Sequence, residues 1–249
     1  MMQNTNRIKE YYDRHWSENE GQDASNLRAY EQEALSYSFK LLKQHFGSLK
    51  NKKILEIGPG KGENALQFAR MGARITTIDI SKNSLELSKR LLDKNRLSGK
   101  ARFIQMDAHN LKFKKNTFDV VFLQTTLMHL DAPKIAKQCR KVLKKNGVFL
   151  FIEPSDDNAL VKLYRTLFSK YKETNPEYLS YDDIVNMSKY FSSSKIRGFY
   201  LFSFFSLVFR NKFLFKACSS AMKSFENFLL AIFPALEKKA WLIVSFNVN

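Results

Sequence analysis

Cysteine is scarce in this sequence: Cys139 and Cys218 are the two in 249 residues. They lie far apart, so neither a disulfide framework nor a Cys/His metal spacing can be built from them. A reducing cytoplasm is the expected location, no metal is expected, and both thiols are expected as small buried apolar groups. Acid is scarce too. The 24 Asp and Glu face 41 Lys and Arg, a formal charge of +17 with a pI near 9.8. Such a balance favours RNA, DNA or an anionic membrane surface without choosing among them, and a Lys-, Phe- and Asn-rich composition equally fits an AT-biased genome. Long hydrophobic runs are missing. The longest, 199–209, is broken by Arg210 and Lys212 and falls short of the roughly 20 residues a helical span requires. The polar first twenty residues carry no apolar signal-peptide core.

What is present is a change of period. Residues 30–46 place Tyr30, Ala34, Leu35, Leu41, Leu42 and Phe46 at helical spacing, so 1–49 reads as a helical cover. From residue 53 short apolar runs alternate with amphipathic stretches. Strands are expected at 53–57, 74–78, 102–105, 118–123 and 148–152. Helices are expected at 62–70, at 81–94 behind a Ser81 cap, and from Asp131 through Leu143 to a stop at Gly147. The crossover at 108–115 has no clear pattern. Later segments predict a helix at 181–191, a strand within 195–204, a Phe- and Lys-rich helix at 213–232 and a last strand at 241–248. Near-continuous apolar strands separated by amphipathic helices mean a parallel sheet covered on both faces. The expected fold is therefore α/β: a doubly wound, mostly parallel seven-stranded sheet in residues 50–249, under the cover of 1–49. Ligands then lie outside the strand carboxyl ends.

The chemistry concentrates at Glu56-Ile57-Gly58-Pro59-Gly60-Lys61-Gly62. Glycine lets the backbone turn tightly and approach a ligand, and the helix start behind it offers free N–H groups to a carboxylate or phosphate. The spacing is G-x-G-x-G, unlike the G-x-G-x-x-G of dinucleotide enzymes. Asp79 and Asp107 follow at the next two strand ends, where each could also be a cap or turn acid. Asp119, at a strand edge, reads as structural.

Residues 54–62 closely resemble the first motif of class I (Rossmann-like) S-adenosylmethionine-dependent methyltransferases, in particular the small-molecule, type 11-like branch. The resemblance continues in order through Thr77-Ile78-Asp79-Ile80-Ser81, Gln105-Met106-Asp107-Ala108, Phe118-Asp119-Val120-Val121, Leu127-Met128-His129-Leu130 and the passage ending at Glu153-Pro154. It implies an S-adenosylmethionine site in 50–154 formed by Glu56, Gly58, Pro59, Gly60, Gly62, Asp79, Ile80, Asp107, Ala108 and Gln124. In it Asp79 would hold the ribose hydroxyls, and Asp107 with the next backbone N–H would meet the adenine. His129 is the candidate base, or else a packing histidine; many relatives carry His-His where this chain has Met128-His129. Tyr11, Tyr12, His15, Trp16, Thr125 and Glu153 are candidates to face the acceptor. Leu123-Gln124-Thr125-Thr126 stands where enzymes that methylate amino groups of bases or glutamine carry N/D-P-P-Y/F, which argues against those branches.

Acceptor specificity is expected in 155–249. Its stretch 199–234 suits an apolar pocket or peripheral contact with an anionic membrane, or simply a core helix between the last two strands. The expected activity is methyl transfer to oxygen or carbon of a small, lipidic or lipid-linked acceptor. An RNA methyltransferase and a non-catalytic protein on the same fold stand as alternatives.

Overall fold

A computed structural model describes residues 2–18, 25–168, 173–209 and 211–249; part of the expected cover, 19–24, lies outside the described residues, as does Arg210. Helices α1 (Met2–Glu18) and α2 (Ser25–Phe46) precede the first strand, β1 (Lys53–Ile57). Then come α3 (Glu63–Arg70), β2 (Arg74–Asp79), α4 (Lys82–Lys94), β3 (Ala101–Gln105), β4 (Phe118–Gln124), α5 (Ala132–Val142), β5 (Leu143–Pro154) and α6 (Ala159–Phe168). The chain closes with α7 (Tyr181–Ser188), β6 (Ser193–Phe199), α8 (Lys212–Ile232) and β7 (Leu242–Val248).

The seven strands form one sheet in the order β3-β2-β1-β4-β5-β7-β6. The first five run parallel, and β7 pairs antiparallel with both β5 and β6. Period-2 alternation explains the two cores. Ile54, Val120, Phe122, Leu150 and Val244 point to the side covered by α2 and α3, where Tyr30, Leu42 and Phe68 are fully buried. Leu55, Val121, Leu123, Phe149 and Phe151 point to the other side, against Ile135 and Cys139 of α5 and Ile184 of α7. Asp119 ties the sheet's start together: its carboxylate accepts the Lys53 N–H at 2.8 Å and pairs with Lys144 at 2.9 Å.

The structure departs from or fills in the expected elements at four places. The helix beginning at Asp131 ends at Val142 rather than at Gly147. Leu143 is already extended and pairs with Phe118, and the irregular register between Phe118 and Val120 absorbs the extra residues before Val148. The 108–115 crossover holds a 3-10 turn, Ala108–Asn110, in place of a helix. α6 was not expected. The strand within 195–204 stops at Phe199 and gives way to a 3-10 segment, Ser203–Val208.

The order reverses between β1 and β4, which opens a crevice at their carboxyl ends. α1 crosses over that edge. Its Asp13 accepts from Ser81 Oγ at 2.6 Å, and its backbone carbonyl there accepts from Asn83 at 2.8 Å, fixing α1 to the start of α4.

Candidate active site

A cavity of about 540 Å³ lies in this crevice. Its floor is the turn after β1. Gly58, Gly60 and Gly62 all have positive φ, at 73°, 54° and 84°, a region L side chains rarely adopt. A Cβ on Gly58 would stand 2.5 Å from Thr126 Oγ1, and one on Gly60 would stand 3.3 Å from the Trp16 ring. The backbone is thus bare toward the cavity, with Trp16 laid over it.

The expected residues divide in two. Gly58, Pro59, Gly60, Asp79, Ile80, Asp107, Ala108, Gln124, Thr125, Tyr12, His15, Trp16 and His129 line the cavity together. Glu56, Gly62, Tyr11 and Glu153 are not on its wall. Gly62 caps α3 from beneath. Tyr11 stacks on His15 instead, with centroids 5.7 Å apart. Glu153 is buried under the Thr125–His129 loop, where one oxygen accepts the Thr126 and Leu127 N–H groups at 2.7 and 2.9 Å. It shapes the loop; Thr125 there has φ 51°.

Both strand-end acids on the wall are held. Asp79 accepts from Ser81 N–H and from Ser84 Oγ, both at 2.8 Å, one on each oxygen. Each oxygen keeps a second lone pair. Asp107 accepts the His109 N–H at 2.8 Å and meets His109 Nδ1 at 2.8 Å. Because His109 Nε2 accepts from the Asp131 N–H, the ring proton sits on Nδ1 and points at Asp107. Gln124 accepts from Asn64 at 3.1 Å. On the opposite side Tyr12 OH and His129 Nε2 share a hydrogen bond of 2.7 Å.

Burial dominates the electrostatics. It pushes Glu56 up to about 8, Glu153 to about 7 and Asp79 to about 6, and it pulls His129 down to about 4. Glu56 is the extreme case. The Ala65 amide opposes the shift without reaching hydrogen-bond geometry, so both carboxylate oxygens lack a partner among the described residues. A carboxylate with no partner favours a cation nearby. The consequence is measurable in the ligand-free protein. The folded state holds this proton up to about pH 8, whereas the unfolded chain releases it near 4.5. The contribution of Glu56 is therefore fully present below pH 4.5 and is lost as pH rises to 8. The melting temperature of Glu56→Gln should gain on the wild type steadily between pH 5 and pH 8; a constant difference would contradict an uncharged Glu56.

Sequence reading missed Asn64, His109, Thr126 and a wall contributed by α2, namely Glu31, Gln32 and Leu35. Asn64 had a signal in its place just after the last glycine, and His109 in standing two residues beyond Asp107. The α2 residues had none, since only the tertiary fold brings them over the sheet. Among the described residues no group of three or more His, Cys, Asp or Glu could hold a metal ion, and no helix is long and apolar enough to cross a membrane.

Sheet order, glycine turn and strand-end acids define a class I methyltransferase fold. In agreement, residues 55–151 match the family described as "Methyltransferase domain". Among curated proteins it is 34% identical over 125 residues to the ubiquinone/menaquinone biosynthesis C-methyltransferase UbiE of Azotobacter vinelandii, covering 47% of this chain and 49% of the relative. It is 38% identical over 101 residues to the ubiquinone biosynthesis O-methyltransferase of Pelagibacter ubique, covering 40% of this chain and 41% of the relative. The chain thus matches about half the length of these relatives or less. Among solved structures, phosphoethanolamine N-methyltransferase 2 of Haemonchus contortus in complex with S-adenosyl-L-methionine superposes with a TM-score of 0.60 at 18% identity, covering 86% of this chain and 52% of that one.

Proposed function

We propose that this protein transfers a methyl group from S-adenosylmethionine to an oxygen or carbon atom of a small, lipid-like or lipid-linked acceptor. The observation that carries the reading is the bare glycine turn with Asp79 and Asp107 at successive strand ends on the same cavity wall. These groups fit the donor. The N–H groups of the turn and of the α3 start suit its carboxylate. The free lone pairs of Asp79 suit a ribose diol, and Asp107 with the Ala108 N–H suits an adenine edge. The unpartnered Glu56 beneath the turn suits a positively charged ligand. When bound, the donor supplies a methyl carbon on a sulfonium, open to attack from the acceptor side.

The chain's own work is then positioning, which can supply most of the rate enhancement. Trp16 and Tyr12 shield the turn from water. His129 is uncharged above pH 5, and its Nε2 can exchange the Tyr12 hydroxyl for an acceptor hydroxyl and take its proton. For a hydroxyl acceptor, His129→Ala should lower kcat by about a hundredfold with little change in donor affinity. The acid limb of the wild-type kcat/KM profile should lie near pH 4. A limb near 6.5, or an unchanged kcat in the variant, would remove His129 from the mechanism.

The lipid-like acceptor is supported by the quinone-pathway names of both relatives, and it brings with it contact between 199–234 and the surface in which such an acceptor resides. An RNA acceptor rests on the net charge. Transfer of radiolabelled methyl from S-adenosylmethionine into separated lipid, RNA, protein and metabolite pools tests the choice: label in the lipid pool is expected, and label confined to RNA would overturn it.

A further inference from the structure

α8 buries one side and leaves the other bare. Phe215, Ser219 and Glu226 point inward, whereas Phe213, Leu214, Phe225, Phe228 and Ile232 are 78, 50, 53, 59 and 51% exposed. At about 100° per residue these five fall within an arc of about 120°. Ala217, Ala221, Ser224 and Ala231, also exposed, fill it, and no charged residue of α8 lies there. An exposed apolar stripe of this kind marks an interaction surface. The expectation of a core helix between the last strands is met on the inner side only.

The surrounding charge says what kind of surface it meets. Between 199 and 240 the basic residues are Arg210, Lys212, Lys216, Lys223, Lys238 and Lys239, and the acids are Glu226 and Glu237. Both acids are engaged inside the fold. Glu226 accepts the Phe202 and Ser203 N–H groups at 2.6 Å, and Glu237 accepts the Gly198 N–H at 2.9 Å. Exposed Lys216 flanks the stripe, and exposed Lys238 and Lys239 follow its end. A second copy of the chain would bring the same positive rim against this one. An anionic lipid surface brings the opposite charge and an apolar layer behind it.

The helix also packs on an element of the cavity wall. On α2, Glu31, Gln32 and Leu35 line the cavity. The same helix turns Tyr30 toward Ser203 and Ser219 and Glu33 toward Lys223, with Lys223 Nζ 2.7 Å from its carboxylate. One helix therefore separates the bare stripe from the candidate active site.

We infer that α8 is an interfacial helix that docks the protein on an anionic lipid surface, with its Phe213–Phe228 side at the acyl boundary and Lys216, Lys238 and Lys239 among the headgroups. What the docking serves rests on the methyl-transfer reading; the docking itself does not.

Sedimentation with vesicles tests it. The wild type should bind phosphatidylcholine vesicles containing phosphatidylglycerol at about 50 mM salt, and bind less well in about 0.5 M salt or to phosphatidylcholine alone. Phe213→Ser with Phe228→Ser should weaken partitioning at least about tenfold. Both side chains are exposed, so the melting temperature and the affinity for S-adenosylhomocysteine should stay near wild type. As an independent reading, a tryptophan placed by Phe228→Trp should shift its emission to the blue on vesicle addition. Failure of the wild type to bind anionic vesicles, equal binding by the double variant, or an unshifted tryptophan overturns the inference. So does a dimer in light scattering without lipid that the double variant abolishes, since the occupant would then be a second copy. Donor binding without vesicle binding sinks the docking and leaves the methyl-transfer reading standing, and the converse holds.

Discussion

Asp79→Asn should weaken binding of S-adenosylhomocysteine about a hundredfold. Asp79 stands at the end of β2 on the cavity wall, where the Ser81 N–H donates to one of its oxygens and Ser84 Oγ to the other, and each oxygen can accept one bond more. Two charge-assisted hydrogen bonds to a ribose diol are together worth about 3 kcal/mol, which corresponds to a factor of about a hundred in Kd. Asparagine keeps the shape and one acceptor, so the fold should survive while the charge goes. A second readout separates binding from packing. Burial holds the Asp79 pKa near 6, and the ionised form is the acceptor. The ratio of wild-type to Asp79→Asn affinity should hold steady above pH 7 and fall as pH drops below 6, because the Glu56 titration is common to both proteins. Calorimetric titrations from pH 5 to pH 8 check both. An unchanged Kd in the variant, or parallel pH profiles, would take Asp79 out of the site.

Gly62→Ala should destabilise the fold by about 3 kcal/mol. Its φ of 84° is left-handed, which costs an L residue about 1–2 kcal/mol. The added Cβ would stand 2.6 Å from Ser88 Cα on α4 and 2.3 Å from its Oγ. Backbone cannot yield as a side-chain tip can, and overpacking of this kind costs about 1–3 kcal/mol. For a chain of this size the melting temperature should fall by about 6–12 °C. Ser88→Gly in the same chain should restore only part of the loss, because the α4 backbone stays in the way. Gly99→Ala is the control: nothing lies within 4 Å of its would-be Cβ, and its effect should stay within about 0.5 kcal/mol. A melting temperature for Gly62→Ala equal to that of the control would contradict the close approach of α3 to α4.

The parts of this protein that could be read from sequence are those whose causes are local. The strands from Lys53 to Ile152 announce themselves by apolar runs, and the Ser81 and Asp131 caps by their place before amphipathic stretches; Ser81 accepts the Ser84 N–H and Asp131 the Lys134 N–H. The glycine turn is legible because three left-handed positions in five residues leave few other residue types possible. What failed was set by partners distant in the chain. Leu143 leaves the helix because Phe118 pairs with it in the sheet. Glu153, which stood among the acceptor candidates, commits its carboxylate to the loop amides 26 and 27 positions earlier. The α2 wall depends on how a helix lies across the sheet, which no helical period encodes. The helix from Lys212 was legible as a helix, but its bare face was not, since a Phe-rich stripe reads alike whether it meets a core or a lipid surface.

The methyl-donor site at the glycine turn is the centre on which the rest depends, and one calorimetric titration tests it most directly. Wild-type protein titrated with S-adenosylhomocysteine should bind one equivalent, and Gly60→Val, whose side chain would intrude at the Trp16 ring over the turn, should not bind measurably. Equal binding by both proteins, or none by the folded wild type, would contradict the account.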